Sequence, residues 1–117
     1  LPAELAPIKA AVFPIVNKEA MPELARQVYK DLKKEFNVLY DDSSSLGRRY
    51  SRADEMGVPV TIAIDGQSIK DNTITLRDRD TTEQIRIKIK DVTEVIRKVI
   101  SGENLLNLGK KVDTRVK

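Results

Sequence analysis

Two short apolar runs constrain this chain most. Lys9–Val16 reads KAAVFPIV and Val60–Asp65 reads VTIAID. Each is nearly continuous rather than alternating, as a strand buried on both faces of a parallel sheet must be. Parallel neighbours need a crossover, normally a helix. Positions 19–35 supply one, with Met21, Leu24, Ala25, Val28 and Leu32 at helical spacing and Phe36 after them. Asn17 is the expected cap, and Pro22 falls in the first turns, where its missing N–H costs little. Val38–Asp42 then reads as a second strand. A second helix is expected from about Leu46 to Met56, capped by Ser43–Ser45 and stopped by Gly57 and Pro59. Pro14 marks a strand end or a bulge, because proline removes a ladder donor.

Beyond the second apolar run the period changes. Asp65-Gly66 opens a loop and Asp71-Asn72 closes it. Thr73–Arg79 alternates, with Ile74 and Leu76 on one side and Thr73, Thr75, Arg77 and Arg79 on the other. Ile85, Ile87 and Ile89 alternate with Arg86, Lys88 and Lys90, so both stretches read as half-buried strands. A last helix is expected from Asp91, with Glu94 completing a capping box and a stripe of Val92, Val95, Ile96, Val99 and Ile100. Gly102 stops it. The order β-α-β-α-β-β-β-α predicts a three-layer α/β domain with a mixed sheet. The domain is expected over 8–102. Residues 1–7 read as a linker from a preceding domain, and 103–117 as a basic C-terminal tail carrying Lys110, Lys111, Arg115 and Lys117.

With 117 residues, one domain with a real core is the natural size. Cysteine and histidine are both absent. That removes disulfides, thiolate metal sites, cysteine nucleophiles, the usual neutral-pH base and serine–histidine triads. The chain alone is therefore not expected to be a hydrolase. Its net charge is only +3, too little for a protein that coats duplex DNA. No apolar run is long enough to span a bilayer, and the first ten residues lack a signal-peptide pattern. Because it begins at Leu1, the chain is expected to be a fragment of something longer.

Two blocks mix arginines with carboxylates: YDDSSSLGRRYSRADEMGVP from Tyr40 to Pro59, and TITLRDRDTTEQIRI from Thr73 to Ile87. Arginine forks and aspartate acceptors on rigid elements can read the donor and acceptor pattern of a nucleobase. In the first block Arg48, Arg49 and Arg52 crowd a helix N-terminus, where the dipole prefers anions. The plain reading is a solvated helix with pairs such as Arg48–Glu55. The functional reading is that a phosphate or base edge arrives there. The SSSLGRR run could donate backbone N–H groups to an anion, but it is not a P-loop.

Asp41, Asp42 and Asp65 end parallel strands, where α/β sheets bind ligands. Together they could hold magnesium, as in a receiver-like domain. The plainer reading makes Asp42 and Asp65 caps and keeps Asp41 as a base reader. At Arg77-Asp78-Arg79-Asp80, a salt-bridged turn competes with a polar reader on the sheet rim. Asp78 falls on the apolar side, which is costly unless it is paired. Arg86, Lys88 and Lys90 form a basic stripe that suits either edge protection or phosphate contact. Tyr40, Tyr50 and Phe13 are possible stacking platforms, with core filling the default for Phe13.

These blocks, with LAPIKAAVFPIVNKE, VPVTIAID and NTITLRDRDTTEQIRIKI, resemble the C-terminal anticodon-binding domain of class II aminoacyl-tRNA synthetases. Asp41-Asp42-Ser43, Gly47-Arg48-Arg49-Tyr50 and Arg77-Asp78-Arg79-Asp80-Thr81 resemble the glycyl branch of archaeal and eukaryotic type. The resemblance spans about 2–101. It implies a five-stranded sheet of order 2-1-3-4-5 with strand 4 antiparallel, and a role in gripping the anticodon arm of tRNA(Gly). A separate catalytic domain is implied to use ATP and magnesium, with no cofactor in this domain. A cytoplasmic, homodimeric ligase is implied for the whole enzyme. The implied tRNA surface is Asp41, Arg48, Arg49, Tyr50, Arg52, Glu55, Arg77, Asp78 and Arg79, with Arg86 and Lys88 as backbone contacts. A stand-alone interaction module on the same fold, of the polymerase-accessory or coactivator type, is the competing reading.

Overall fold

A computed structural model describes residues 2–18 and 20–112. Leu1, Glu19 and 113–117 lie outside the described residues, among them Arg115 and Lys117 of the expected tail. The elements are β1 (Ala10–Pro14), α1 (Met21–Lys33), β2 (Val38–Tyr40), α2 (Leu46–Glu55), β3 (Val60–Ile64), α3 (Gly66–Asp71), β4 (Thr73–Asp78), β5 (Gln84–Lys88), α4 (Val92–Ile100) and β6 (Lys110–Val112). They form one mixed sheet of order β2-β1-β3-β4-β5-β6. β1 is parallel to β2 and β3, while β4 runs antiparallel to both β3 and β5.

The two apolar runs lie at the sheet centre with every residue of β1 and β3 buried. Alternation divides them between two cores. Ala10, Val12, Val60, Ile62 and Ile64 join Ile74, Leu76, Ile85 and Ile87 under α1 and α4. Ala11 and Phe13 meet Ala53 and Val58 under α2. The crossover from β1 to β2 and that from β2 to β3 run in opposite directions across the sheet. With one handedness, their helices must land on opposite faces. The expected three layers and the expected order of the first five strands are present.

The differences are local. The described residues form six strands, not five: Lys110–Val112, expected as tail, pairs antiparallel with Gln84–Arg86. Gly109 makes that approach possible, since a Cβ there would stand 2.6 Å from Ile87 Cγ2 and 3.0 Å from the Arg86 carbonyl oxygen. Before it a 3-10 turn over Leu105–Asn107 buries Leu105 in the core. In the expected linker Ala6 is buried and Ala3 packs against the core. The expected loop after β3 is instead α3, capped by a reciprocal pair of bonds between Asp65 and Ser68 and closed by left-handed Asn72. Asn17 does not cap α1; its amide donates to the Asp42 carbonyl oxygen. Asp91 makes no side-chain cap on α4, because a 3-10 turn over Ile89–Asp91 precedes the helix, and Lys90 lies in that turn rather than on a strand. Pro14 is the last residue of β1. Ser45 caps α2 by accepting from the Arg48 N–H, and Gly57 follows the helix at φ 73. No helix of the described residues is long and apolar enough to cross a membrane.

Candidate nucleic-acid interface

α2 and the loop before it organise the first charged block. Arg52 donates from Nε and Nη2 to one oxygen of Asp41, at 3.0 and 2.7 Å. The other oxygen accepts the N–H and hydroxyl of Ser43, at 3.0 and 2.9 Å. Burial pulls the Asp41 carboxyl upward, but the bonds from Arg52 and Ser43 outweigh it and hold it below its ordinary value. Arg49 is buried, at 5% exposure. Its guanidinium donates to the Pro14 and Ser44 carbonyl oxygens, tying α2 to the end of β1 and to the loop. Its Nε has no partner among the described residues. Arg48 and Glu55 are exposed, and among the described residues neither side chain has a hydrogen bond or ion pair. The expected Arg48–Glu55 pair does not form. Of the arginines crowding this helix, Arg48 is therefore the one left with its donors unengaged.

The second block is fixed just as tightly. Arg77 lies 4.7 Å over the Tyr50 ring and pairs with Asp54 at 3.4 Å. Tyr50 in turn meets Phe13 edge to face at 5.2 Å. Phe13 is core, and Tyr50 is roofed by Arg77, so neither is an open stacking platform. Burial pushes the Tyr50 hydroxyl above its ordinary value, against the opposing charges of Arg77 and Arg49. Arg79 donates to the Gly57 carbonyl oxygen at 2.7 Å and pairs with Asp80 at 3.2 Å. Asp78 accepts from the N–H groups of Asp80 and Thr81, which satisfies it inside the hairpin turn.

A third pair lies across β3 and β5. Arg86 Nη2 donates to Asp65 at 2.6 Å and Nη1 to the Thr73 hydroxyl at 2.8 Å. Burial opposes ionisation of Asp65, but the bonds from Arg86 and Ser68 prevail and lower its pKa. Lys110 of β6 stands directly opposite Arg86. Lys88 is exposed and lines a groove of about 570 Å³ with Leu24, Val28 and Asn72. Among the described residues no carboxylates gather as a metal site. Asp41 and Asp65 each face their own arginine, and Asp42 stands 3.8 Å from Arg26 rather than capping a helix. The receiver-like arrangement is thereby absent from the described residues.

The expected residues do not converge on one pocket. Asp41, Arg48 and Arg49 belong to the N-terminal part of α2 and its loop, whereas Arg52 lies in its last turn and Arg77 and Arg79 meet Asp54 and Gly57 at its C-terminal end. Along the helix axis Arg48 stands about 9 Å from Asp54, with Arg52 between them. Sequence reasoning missed Asp54, the Asp65–Arg86–Thr73 set and Lys110. The period-2 register of β5 was the one available signal, since it already placed Arg86 on the face shared with Thr73 and Thr75. The result is an elongated polar face in which Arg52, Arg77, Arg79 and Arg86 are held by their partners and Arg48 is unengaged. Such forks suit the oxygens and base edges of an extended anion.

Residues 9–99 match the family described as the anticodon binding domain. The chain is 55% identical over 96 residues to the glycine–tRNA ligase of Rhodopirellula baltica, covering 82% of this chain and 18% of that protein. Against the glycine–tRNA ligase of Aeropyrum pernix it is 49% identical over 114 residues, covering 95% of this chain and 20% of that protein. Prolyl-tRNA synthetase from Cryptosporidium parvum superimposes with a TM-score of 0.79 at 25% identity, covering 86% of this chain and 22% of that one. The chain thus spans about a fifth of the length of the relatives it matches. On the fold and the extent of the match, this chain belongs to the anticodon binding domain family.

Proposed function

We propose that the chain is the anticodon-binding part of a glycine–tRNA ligase and grips the anticodon arm of tRNA(Gly). The observation that carries this reading is the elongated face along α2 and the β4–β5 hairpin, whose arginines are held by their own carboxylates and carbonyls. Pre-fixed forks read base edges without losing side-chain freedom on binding. Arg48, Arg52, Arg77 and Arg79 present donors; Asp41, Asp78 and Arg49 position them; Tyr50 supports Arg77. Glu55 accepts from a base amino group, while Arg86 and Lys88 serve the sugar–phosphate backbone. On this reading the intact ligase is a cytoplasmic homodimer that charges tRNA(Gly) with glycine in a separate catalytic domain. On the same reading ATP and magnesium belong to that domain. A stand-alone interaction module is less well supported, because the similar relatives are ligases.

The test is binding of tRNA(Gly) and anticodon-substituted versions to the wild type and to Arg48→Ala. Loss of a base-reading contact weakens the matching tRNA by roughly 1–3 kcal/mol and relaxes discrimination at one base. Stability stays within about 0.5 kcal/mol, as expected for an exposed side chain. Arg49→Ala is the contrasting variant: it strips donors from two carbonyls and lowers stability itself. Equal binding of every anticodon sequence by the wild type overturns the reading.

A further inference from the structure

Arg26, Lys30 and Lys33 stand at i, i+4 and i+7 of α1, with Tyr29 on the same stripe. Lys30 has cations four residues behind it and three and four residues ahead, at Arg26, Lys33 and Lys34. Like charges at that spacing repel, so an isolated helix gains nothing from them. The helix dipole accounts for the cations of the last turn but not for Arg26. Beneath them the Tyr29 and Tyr40 rings meet edge to face at 5.9 Å. The Arg26 and Lys33 cations lie 5.5 and 5.2 Å from the Tyr40 and Tyr29 ring centres. β2 is an edge strand, and a groove of about 370 Å³ runs between it and α1. Lys30 lines that groove and has no hydrogen bond or ion pair among the described residues. The loop after β2 joins this stripe to the arginine face, for Asp42 lies beside Arg26 and Asp41 holds Arg52.

We propose that this stripe binds the sugar–phosphate backbone of the same RNA, carrying the interface around the β2 edge onto α1. The inference rests on the RNA-binding reading above. Cations on flexible stems suit phosphates, and tyrosine rings beside them suit a nucleoside face. Continuity with the arginine face favours an RNA strand over an acidic peptide added to the β2 edge.

The probe is a synthetic anticodon stem–loop of tRNA(Gly), titrated against the chain over a range of salt concentrations. Lys30→Ala with Lys33→Ala should make the slope of log affinity against log salt shallower by about 1.4–1.8, at 0.7–0.9 per phosphate contact. The loss should be the same for all anticodon sequences. Lys30→Arg with Lys33→Arg should keep the wild-type slope. An unchanged slope in the alanine pair, while Arg48→Ala still weakens binding, overturns the α1 surface and leaves the anticodon reading standing. Absence of stem–loop binding by the wild type overturns both. Binding of polyglutamate or anionic phospholipid vesicles that depends on Lys30 and Lys33, with RNA indifferent to them, also overturns the proposal.

Discussion

Arg52 donates two N–H groups to a single oxygen of Asp41, and Asp41 spends its other oxygen on Ser43. The strand end, the serine loop and α2 are thereby locked together through one carboxylate. Asp41 is 11% exposed and Arg52 is 40% exposed, so the acceptor is sheltered while the fork reaches solvent. That asymmetry suits an arginine aimed outward from a fixed seat.

A double-mutant cycle should expose the lock. Asp41→Ala strands Arg52 and Ser43, and removing one partner of such a set costs about 1–3 kcal/mol. Arg52→Ala costs less, because its head is closer to water. The coupling energy should lie within about 0.5–3 kcal/mol in denaturant unfolding. An additive cycle would show that the pair positions nothing.

The same carboxylates set an acid limb. Asp41 and Asp65 both have folded-state pKa values below the ordinary carboxylate value, because arginine and serine donors overcome the effect of burial. A lowered folded-state pKa adds stability that is present above the unfolded-state value and is lost as pH falls through the folded one. Stability should therefore be flat near neutrality with respect to these groups and should fall below about pH 4. Denaturation midpoints across that range check it. Asp41→Asn with Asp65→Asn should lower the plateau and flatten the limb; an unchanged limb means that other groups cause it.

How much of this was visible in the residues depends on range. The central strands and the helices α1 and α4 follow from apolar period, α2 follows from its serine cap and Gly57–Pro59 stop, and the mixed order follows from the hairpin pattern. α3 was not legible: Gly66–Asp71 has no apolar stripe, and its start depends on Asp65 and Ser68 bonding each other. β6 was not legible either, because Lys110, Lys111 and Val112 have strand identity only through Gln84–Arg86. The arginines were legible as types but not as partners. Arg77 finds Asp54, 23 residues away, and Arg86 finds Asp65, 21 residues away. Asp54 lies on α2 and Asp65 caps α3, so these pairings are products of how helix and sheet pack, which local pattern does not encode.

Gly109 tests the sixth strand. Its added Cβ would press on Ile87 Cγ2 at 2.6 Å and on the backbone oxygen of Arg86 at 3.0 Å, and the latter cannot swing aside. Gly109→Ala should cost about 1–3 kcal/mol, the usual range for overpacking. Hydrogen exchange should quicken at Lys110–Val112 and leave β1 and β3 protected. Unaltered protection in β6 would mean the strand pairs without needing the close approach.

Arg77→Lys separates a read base from a held phosphate. Lysine keeps the positive charge but loses the planar fork that spans Tyr50 and Asp54. If Arg77 reads a base edge, discrimination at one anticodon position should fall by roughly 1–3 kcal/mol. The salt slope should stay the same, because the count of cations is unchanged. If Arg77 only neutralises a phosphate, lysine should retain both affinity and discrimination. Tyr50→Phe supplies the control, since it keeps the ring beneath the guanidinium and removes only the hydroxyl. Its tRNA discrimination should match the wild type, and a loss equal to that of Arg77→Lys would assign the reading to the tyrosine hydroxyl instead.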